Sequence, residues 1–214
     1  MNLITNLKLS EVDNLSDARF AAGMGARFIG FPFDEENENY LEIDKAKEIA
    51  GWLSGPDIVA EFGAQDLDQM LNIIKTLKIK YVQLNEMNHF FDVKKLSDRA
   101  KIIQNVDLAA FRGAEEISFF IEDCYQSVHY FLFSLYDEEE MEAFLGLADN
   151  RKLLKQMCID FNVILNFPFD AENLLPTIEK YKPYGVNFYT EGEERPGYKD
   201  FNTLIDLTEL LEKN

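Results

Sequence analysis

The 214-residue sequence is poor in cysteine, histidine and basic side chains. Its two cysteines, Cys124 and Cys158, have a spacing that fits neither a disulfide framework nor a zinc site. Only 21 lysines and arginines stand against 39 acidic residues, so the formal net charge is −18 and the pI lies near 4.4. Because nucleic acids and anionic membrane surfaces attract clusters of basic residues, this balance excludes both from the expected partners.

Long apolar runs are also missing. None approaches the roughly 20 residues that a membrane-spanning helix needs. Residues 1–6 lack the basic and apolar regions of an export signal, so we expect a cytoplasmic protein without a membrane anchor. No linker or low-complexity tract interrupts the chain, and we therefore expect residues 1–214 to form a single domain.

The chain instead alternates regularly between two kinds of segment. Short apolar runs rich in β-branched and aromatic residues have the length of buried strands. They lie at 7–9, 27–33, 58–62, 81–84, 101–106, 128–133, 161–165 and 185–189. Between and after them, helical periodicity predicts helices at 15–22, 42–52, 66–77, 88–97, 114–121, 138–157, 171–181 and 200–212.

This alternation predicts an α/β fold with a parallel sheet, and eight strand–helix units favour its closure into a (β/α)8 TIM barrel. An open doubly wound sheet is the main alternative, but no Gly-x-Gly-x-x-Gly motif follows any predicted strand. In a TIM barrel the chemistry lies at the C-terminal ends of the strands. The candidate functional residues are therefore those at the predicted strand ends.

Most of these strand ends carry carboxylates or amides. Such a barrel mouth fits a cationic or amine ligand or a hard metal ion, and it fits equally the solvated surface of an acidic protein. Carboxylates at strand ends do not by themselves predict a metal site, so we expect no metal and no cofactor. Lys8 lies within an apolar strand and needs a paired or wet environment, so we expect it to hold an anionic group or to pair with Glu61 or another acid.

Several stretches, in order along the chain, resemble the phosphoribosylanthranilate isomerase family. They are Asn14-Leu15-Ser16-Asp17-Ala18 with Gly23-x-Gly25-Ala26 and Gly30-Phe31-x-Phe33, Tyr81-Val82-Gln83-Leu84, Asp170-Ala171-Glu172-Asn173, and the tail Pro183-Tyr184-Gly185-Val186-Asn187-Phe188 with Arg195-Pro196-Gly197-Tyr198-Lys199-Asp200. The resemblance spans nearly the whole chain. It implies a TIM barrel and an isomerase of the aldose–ketose type, which performs an Amadori rearrangement of an aminated ribose 5-phosphate in tryptophan biosynthesis.

The resemblance also implies where the acid and base of that reaction belong. The family's base is the cysteine of a "KICG" motif on strand one, and its acid is an aspartate that ends strand six. Here Ser10 takes the place of the cysteine and Glu11 takes the place of the glycine. The aspartate falls at Phe133 or Ser134, and Asp137 lies three or four residues downstream. A serine hydroxyl without an activating partner is a poor base, so Glu11 is the candidate replacement.

The family's binding residues are replaced as well. Its glycine-rich loops after strands seven and eight cradle the substrate phosphate, but these positions are Asn166-Phe167-Pro168 and Tyr189-Thr190-Glu191 here. Its His-Gly after strand four becomes Asn85-Glu86, and Asn39 takes the place of an arginine in the loop after strand two. Pro168 lacks a backbone donor, and Glu191 puts a carboxylate where the phosphate dianion rests.

Three hypotheses follow. The one we favour is a homologue without the isomerase reaction, which binds a different small molecule at the barrel mouth through Lys8, Asn39, Asn85, Glu86, Asn166, Thr190 and Glu191. The second is an active isomerase with substituted groups, for which Glu11, Asp137 and Ser10 are the candidate catalytic residues. The third is new carboxylate chemistry at Glu61, Glu86 and Glu191. The sequence leaves open whether the protein is an enzyme, and it leaves the oligomeric state undetermined.

Overall fold

Eight parallel strands close into a barrel in the computed structural model. The structure describes residues 2–85, 90–189, 193–195, 198–199 and 201–213, with side chains except at 90–91, 193–195 and 198–199. The barrel strands are β1 (Asn6–Ser10), β2 (Phe28–Pro32), β3 (Asp57–Phe62), β4 (Tyr81–Leu84), β5 (Lys101–Asp107), β6 (Tyr130–Ser134), β7 (Val163–Asn166) and β8 (Gly185–Tyr189). The helices are α1 (Leu15–Gly23), α2 (Ile43–Trp52), α3 (Leu67–Leu77), α4 (Phe90–Ser97), α5 (Ala114–Cys124), α6 (Glu138–Gly146), α7 (Ala148–Asp160), α8 (Leu174–Tyr181) and α9 (Asn202–Leu210).

Each strand pairs in parallel with the next one along the chain, and β8 returns to pair with β1. The closing pair runs in register from Asn6 beside Gly185 to Ser10 beside Tyr189. This closure confirms the predicted (β/α)8 barrel. It also brings residues from the two ends of the sequence side by side at the barrel mouth, which is the opening at the C-terminal ends of the strands.

The strands read as continuous apolar runs because both of their faces are buried. In β2, all five residues from Phe28 to Pro32 are buried. Phe28 faces the barrel interior, whereas Ile29 and Phe31 belong to the large apolar layer between the strands and the surrounding helices. The alternation of inward and outward side chains therefore decides which strand residues can reach a ligand in the barrel.

Aromatic rings fill the N-terminal end of the barrel interior. The Phe28 ring lies edge-on to Tyr81 and Tyr130, with ring centroids 5.1 Å and 5.7 Å away. We call these three residues the aromatic plug. Two cations lie against it: the Arg27 guanidinium is 5.2 Å from the Phe28 ring centroid, and the Lys101 ammonium is 5.4 Å from that of Tyr81. The plug leaves the opposite end of the barrel for a polar site.

The single helix predicted over 138–157 is wrong, because the chain forms two helices there. α6 ends at Gly146 and α7 begins at Ala148, with Leu147 between them in an extended conformation at φ −86° and ψ 128°. Gly146 favours the end of α6, because glycine is a weak helix former. The Arg151 guanidinium donates to the carbonyls of Leu145 and Gly146 at 2.5 Å and 2.8 Å. These bonds satisfy acceptors that the end of α6 leaves without helical partners.

Two small elements in the loops around the mouth were not predicted. After β8, the strands β9 (Glu193–Arg195) and β10 (Tyr198–Lys199) pair in an antiparallel hairpin. After β5, a 3₁₀ turn at Leu108–Ala110 begins at Asp107, whose carboxylate accepts from the Ala109 N–H at 3.0 Å. Elements of two or three residues are too short to produce the apolar periodicity from which the longer elements were predicted.

The remaining helices occur where the periodicity predicts them, with ends that coincide with the predicted ones or differ by up to three residues. Such displacements are ordinary, because helix ends fray and the flanking residues are only partly helical. In the part of the chain that the structure describes, no helix is long and apolar enough to cross a membrane.

Candidate functional site

A buried ion pair lies at the base of the barrel mouth. Lys8 on β1 is 1% exposed, and its ammonium lies 2.5 Å from the Glu61 carboxylate on β3. The same ammonium donates to the Ser10 hydroxyl and to Asn187 Oδ1, the latter at 3.2 Å. An ammonium has three N–H donors, so these three acceptors occupy all of them. Of the two environments expected for Lys8, the structure therefore shows the pair with Glu61.

Glu61 is held at both of its oxygens. Oε1 accepts from Lys8, and Oε2 accepts from the Glu11 backbone N–H at 2.9 Å. Gly30 makes space for this carboxylate, because a Cβ at position 30 would overlap Glu61 Oε1. The glycine of the Gly30-Phe31-x-Phe33 motif is thus required by the close approach of the Glu61 side chain rather than by a turn.

A chain of amide and hydroxyl groups continues from Asn187 around the mouth. Asn187 Nδ2 donates to Asn166 Oδ1 at 3.0 Å, and Asn166 Nδ2 donates to the Ser134 hydroxyl at 3.1 Å. Ser134 in turn donates to Asn105 Oδ1 at 2.6 Å, and Asn105 Nδ2 donates to the Tyr136 hydroxyl at 3.2 Å. We call this chain the amide network. It connects β8, β7, β6 and β5 through side chains that both donate and accept.

Tyr189 ends β8 at the edge of the amide network. Its hydroxyl accepts from Asn166 Nδ2 at 3.2 Å, while 38% of the residue remains exposed at the mouth. Burial, followed by the negative charges of Glu61 and of Glu11, raises the pKa of Tyr189 above its ordinary value. The phenol therefore stays protonated at neutral pH and is able to donate a hydrogen bond.

Gln83 on β4 is a buried amide with an unsatisfied oxygen. Its side chain lies on the same face of the strand as Tyr81, two residues earlier, and therefore points into the barrel above the aromatic plug. Gln83 is 3% exposed, and its Nε2 donates to Asn85 Oδ1 at 2.6 Å. Its Oε1 is buried and has no hydrogen-bond partner in the described residues. Most buried polar atoms have a partner, so this acceptor needs an explanation.

Glu11 lies at the rim of the mouth in an unusual backbone conformation. Its φ of 57° falls in the left-handed region, which favours glycine. This observation explains why the resemblance places a glycine at this position. The carboxylate is oriented by two amides from the loop after β2, since Asn37 Nδ2 donates to Oε1 at 3.1 Å and Asn39 Nδ2 donates to Oε2 at 3.3 Å.

Asp137 has a structural partner outside this network. It is the N-cap of α6, where its carboxylate accepts from the Glu140 N–H at 2.8 Å. The Glu140 side chain accepts in turn from the Tyr136 N–H at 2.7 Å. Asp137 is exposed in the loop after β6. The structure therefore gives Asp137 a helix-capping contact, whereas Ser134 in the preceding strand belongs to the amide network.

The chain is similar in sequence to proteins named N-(5'-phosphoribosyl)anthranilate isomerase, although no family model matches it. It is 25% identical over 197 residues to the protein of that name from Rubrobacter xylanophilus, covering 92% of this chain and 93% of the relative. It is 24% identical over 210 residues to the Thermotoga neapolitana protein, covering 95% and 97%. The chain thus resembles proteins named phosphoribosylanthranilate isomerase over nearly its whole length.

Solved structures of phosphoribosylanthranilate isomerases share the fold. The Thermotoga maritima enzyme has a TM-score of 0.77 and 20% identity, covering 95% of this chain and 97% of that chain. A phosphoribosylanthranilate isomerase in complex with reduced 1-(O-carboxyphenylamino)-1-deoxyribulose 5-phosphate has a TM-score of 0.75 and 20% identity, covering 96% and 97%. The protein described here is thus a phosphoribosylanthranilate isomerase-like TIM barrel.

The structure brings together several of the residues that the family resemblance singled out. Lys8, Ser10 and Asn166 lie in connected hydrogen bonds at the mouth, with Glu11 and Asn39 paired at its rim. Asn85 accepts from Gln83 at a separate position of the mouth. Three further candidates, Glu86, Thr190 and Glu191, lie outside the described residues.

Sequence reasoning missed Gln83, Asn105 and Asn187 as parts of the site. A sequence pattern could have pointed to them: a polar residue inside an apolar strand, with a second polar residue two positions away. Lys8 and Ser10 show this spacing, and so do Gln83 and Asn85. Because side chains two apart on a strand share a face, this pattern marks the inward face near the strand ends.

The two cysteines lie away from the mouth and are poor nucleophiles. Cys124 ends α5, and Cys158 lies in α7. Burial raises the pKa of the Cys124 thiol to about 11 and that of Cys158 to about 12. Both thiols are therefore protonated at neutral pH. Among the residues that the structure describes, no three His, Cys, Asp or Glu side chains come together in an arrangement that could hold a metal ion.

Proposed function

We propose that this protein no longer carries out the isomerase reaction and binds a different small molecule at its barrel mouth. The observation that carries the proposal is the pairing of Lys8. All three ammonium donors are taken by Glu61, Ser10 and Asn187, so Lys8 has no N–H left for an anionic substrate. Ser10, in the place of the family's cysteine base, accepts one of these hydrogen bonds, and its hydroxyl donates to Asn187 Oδ1 at 2.8 Å.

The surroundings of the phosphate position support the same proposal. Phe167 is buried directly after β7, and Pro168 supplies no backbone donor there. In the loops that follow β1 to β3 and β5 to β7, Arg112 is the single basic residue, and its guanidinium pairs with Glu116 at 3.4 Å. Apart from Arg195 and Lys199 in the hairpin after β8, a phosphate dianion would meet carboxylates in the loops with little positive charge to offset them.

Growth complementation tests the proposal. A bacterial strain lacking its own phosphoribosylanthranilate isomerase would be supplied with this chain or with the Rubrobacter xylanophilus relative, in medium without tryptophan. We expect the relative to restore growth and this chain, present at a similar level and folded by circular dichroism, to leave the strain dependent on tryptophan. Growth that this chain restores and that Glu11→Gln abolishes would overturn the proposal.

The second candidate function is an active isomerase with Glu11 as base and Asp137 as acid. The observation in its favour is the conformation of Glu11, because a left-handed glutamate held by Asn37 and Asn39 is a strained feature of the kind that clusters at functional sites. The names of the relatives agree with it. This candidate predicts that Glu11→Gln and Asp137→Asn each lower kcat about 10²- to 10⁴-fold.

A further inference from the structure

We propose that the ligand of the barrel mouth is an uncharged, polyhydroxylated molecule, one of whose hydroxyls donates to Gln83 Oε1. This inference rests on the proposed function, because it names the class of ligand that replaces the phosphorylated substrate. Its starting point is the buried amide oxygen of Gln83, which has no donor within the described residues. A buried acceptor without a donor lowers the stability of the unliganded protein, so a ligand hydroxyl placed there gains a bond at little desolvation cost.

Charged ligands have few partners at the mouth. Lys8 is the single buried cation among the side chains that the structure describes, and all its donors are occupied. The oxygens of both nearby carboxylates already accept from within the protein: those of Glu61 from Lys8 and the Glu11 N–H, and those of Glu11 from Asn37 and Asn39. A ligand anion would have to displace one of the Lys8 bonds, and a ligand cation would have to share carboxylate oxygens that each already accept one hydrogen bond.

The amide and hydroxyl groups of the mouth suit a ligand that carries hydroxyls. Asparagine and glutamine amides and serine hydroxyls both donate and accept, as the hydroxyl groups of a sugar or polyol do. The described mouth holds several such side chains: Gln83, Asn85, Asn105, Ser134, Asn166 and Asn187. They carry no charge, so an uncharged ligand exchanges water for them without losing the solvation of an ion.

Two tyrosines at the mouth also suit a polyhydroxylated ligand. The phenol oxygens of Tyr189 and Tyr136 each accept from an amide of the network, from Asn166 and from Asn105. Both rings are exposed. The phenol of Tyr189 stays protonated, so it is able to donate outward. Amphipathic rings of this kind present an apolar body to the C–H face of a sugar and a hydroxyl to its oxygens.

Saturation-transfer NMR and calorimetry on the full-length protein test the inference. The uncharged probes are ribose, ribitol and myo-inositol, and the charged probes are ribose 5-phosphate, inorganic phosphate and ethanolamine. We expect an uncharged probe to bind in the millimolar range or tighter and the charged probes to bind more weakly. Ribose 5-phosphate that binds more tightly than ribose would overturn the inference.

Variants locate the binding and separate it from folding. Gln83→Met keeps the size of the side chain but removes the unsatisfied oxygen, together with the Nε2 donor to Asn85, whose exposed amide can bond to water instead. We expect it to weaken probe binding at least about tenfold without lowering the Tm of the free protein. The matched control is Gln156→Met, since Gln156 lies in α7 and bonds to Asp160. It should leave the affinity unchanged. Equal affinity of Gln83→Met and the unmodified protein would contradict the assignment.

The results also distinguish the two proposals. Growth complementation that depends on Glu11 overturns the proposed function, whether or not the uncharged probes bind. No complementation, together with no saturation transfer from any uncharged probe, overturns the ligand class and leaves the loss of the isomerase reaction standing. No complementation, together with uncharged-probe binding that Gln83→Met removes, supports both.

Discussion

The two ends of the barrel interior differ sharply although the same strands build them. At the N-terminal end, strand residues such as Phe28, Tyr81 and Leu132 pack in an apolar cluster. Two residues later on the same strands, Gly30 leaves room for a carboxylate, and Gln83 and Ser134 belong to the polar mouth. On each of these strands, one inward-facing position packs in the apolar cluster and the next inward-facing position lies at the polar mouth. Apolar packing and the polar groups of the mouth are thus carried by different residues of the same strands.

Removing a ring from the aromatic plug should have one of the two largest effects. Phe28 is fully buried, and Phe28→Ala leaves a cavity that Tyr81 and Tyr130 cannot fill. We expect the free energy of unfolding, measured by urea denaturation, to fall by about 3–5 kcal/mol. The control Phe119→Ala removes an exposed ring from α5 and should cost far less. Comparable losses for the two variants would show that the plug is not a tightly packed core.

Breaking the buried ion pair tests the other end of the barrel. Glu61→Leu leaves the Lys8 ammonium buried without its counter-charge, so we expect a loss of about 3–5 kcal/mol in urea denaturation. The double variant Lys8→Met/Glu61→Leu should recover most of that loss, because it replaces both charges by apolar groups. A double variant as unstable as Glu61→Leu would contradict the view that the unpaired charge causes the loss.

The space over Gly30 gives a smaller effect. Gly30→Ala places a methyl group on the Glu61 carboxylate and forces the ion pair to move, for which we expect about 1–3 kcal/mol of destabilisation. Gly51→Ala is the matched control, since nothing lies near a Cβ at that helical position. It should be stabilising by up to about 1 kcal/mol. If both variants were stabilised, the Glu61 side chain would have to move away from the new methyl group at little cost in free energy.

Relief of left-handed backbone strain should change the free energy of unfolding least. Lys78 and Glu11 both have left-handed backbones, with φ of 54° and 57°. Lys78→Gly at the end of α3 should gain about 1 kcal/mol of stability. Glu11→Gly should gain less, because it also removes the hydrogen bonds from Asn37 and Asn39. Thermal unfolding of the two variants measures the difference. A larger gain at position 11 would mean that these bonds contribute nothing to holding Glu11.

Most of the fold could be predicted because strands buried on both faces appear as uninterrupted apolar runs. The break at Leu147 could not, because the helical periodicity continues from α6 into α7 and only Gly146 hints at the end. The prediction for Lys8 succeeded because a charge inside an apolar strand requires a partner. Its contact with Asn187 was not foreseen. The two residues are 179 positions apart and meet only because β8 closes on β1.

The barrel mouth, as we propose, does not carry out the isomerase reaction. The most direct measurement is turnover of freshly prepared phosphoribosylanthranilate, followed by the loss of its anthranilate fluorescence at high protein concentration. The Glu11→Gln variant, prepared identically, controls for isomerase carried over from the expression host. We predict that the folded protein and this variant give the same background rate. Turnover that exceeds this background and disappears in Glu11→Gln would show instead that the isomerase survives with a substituted base.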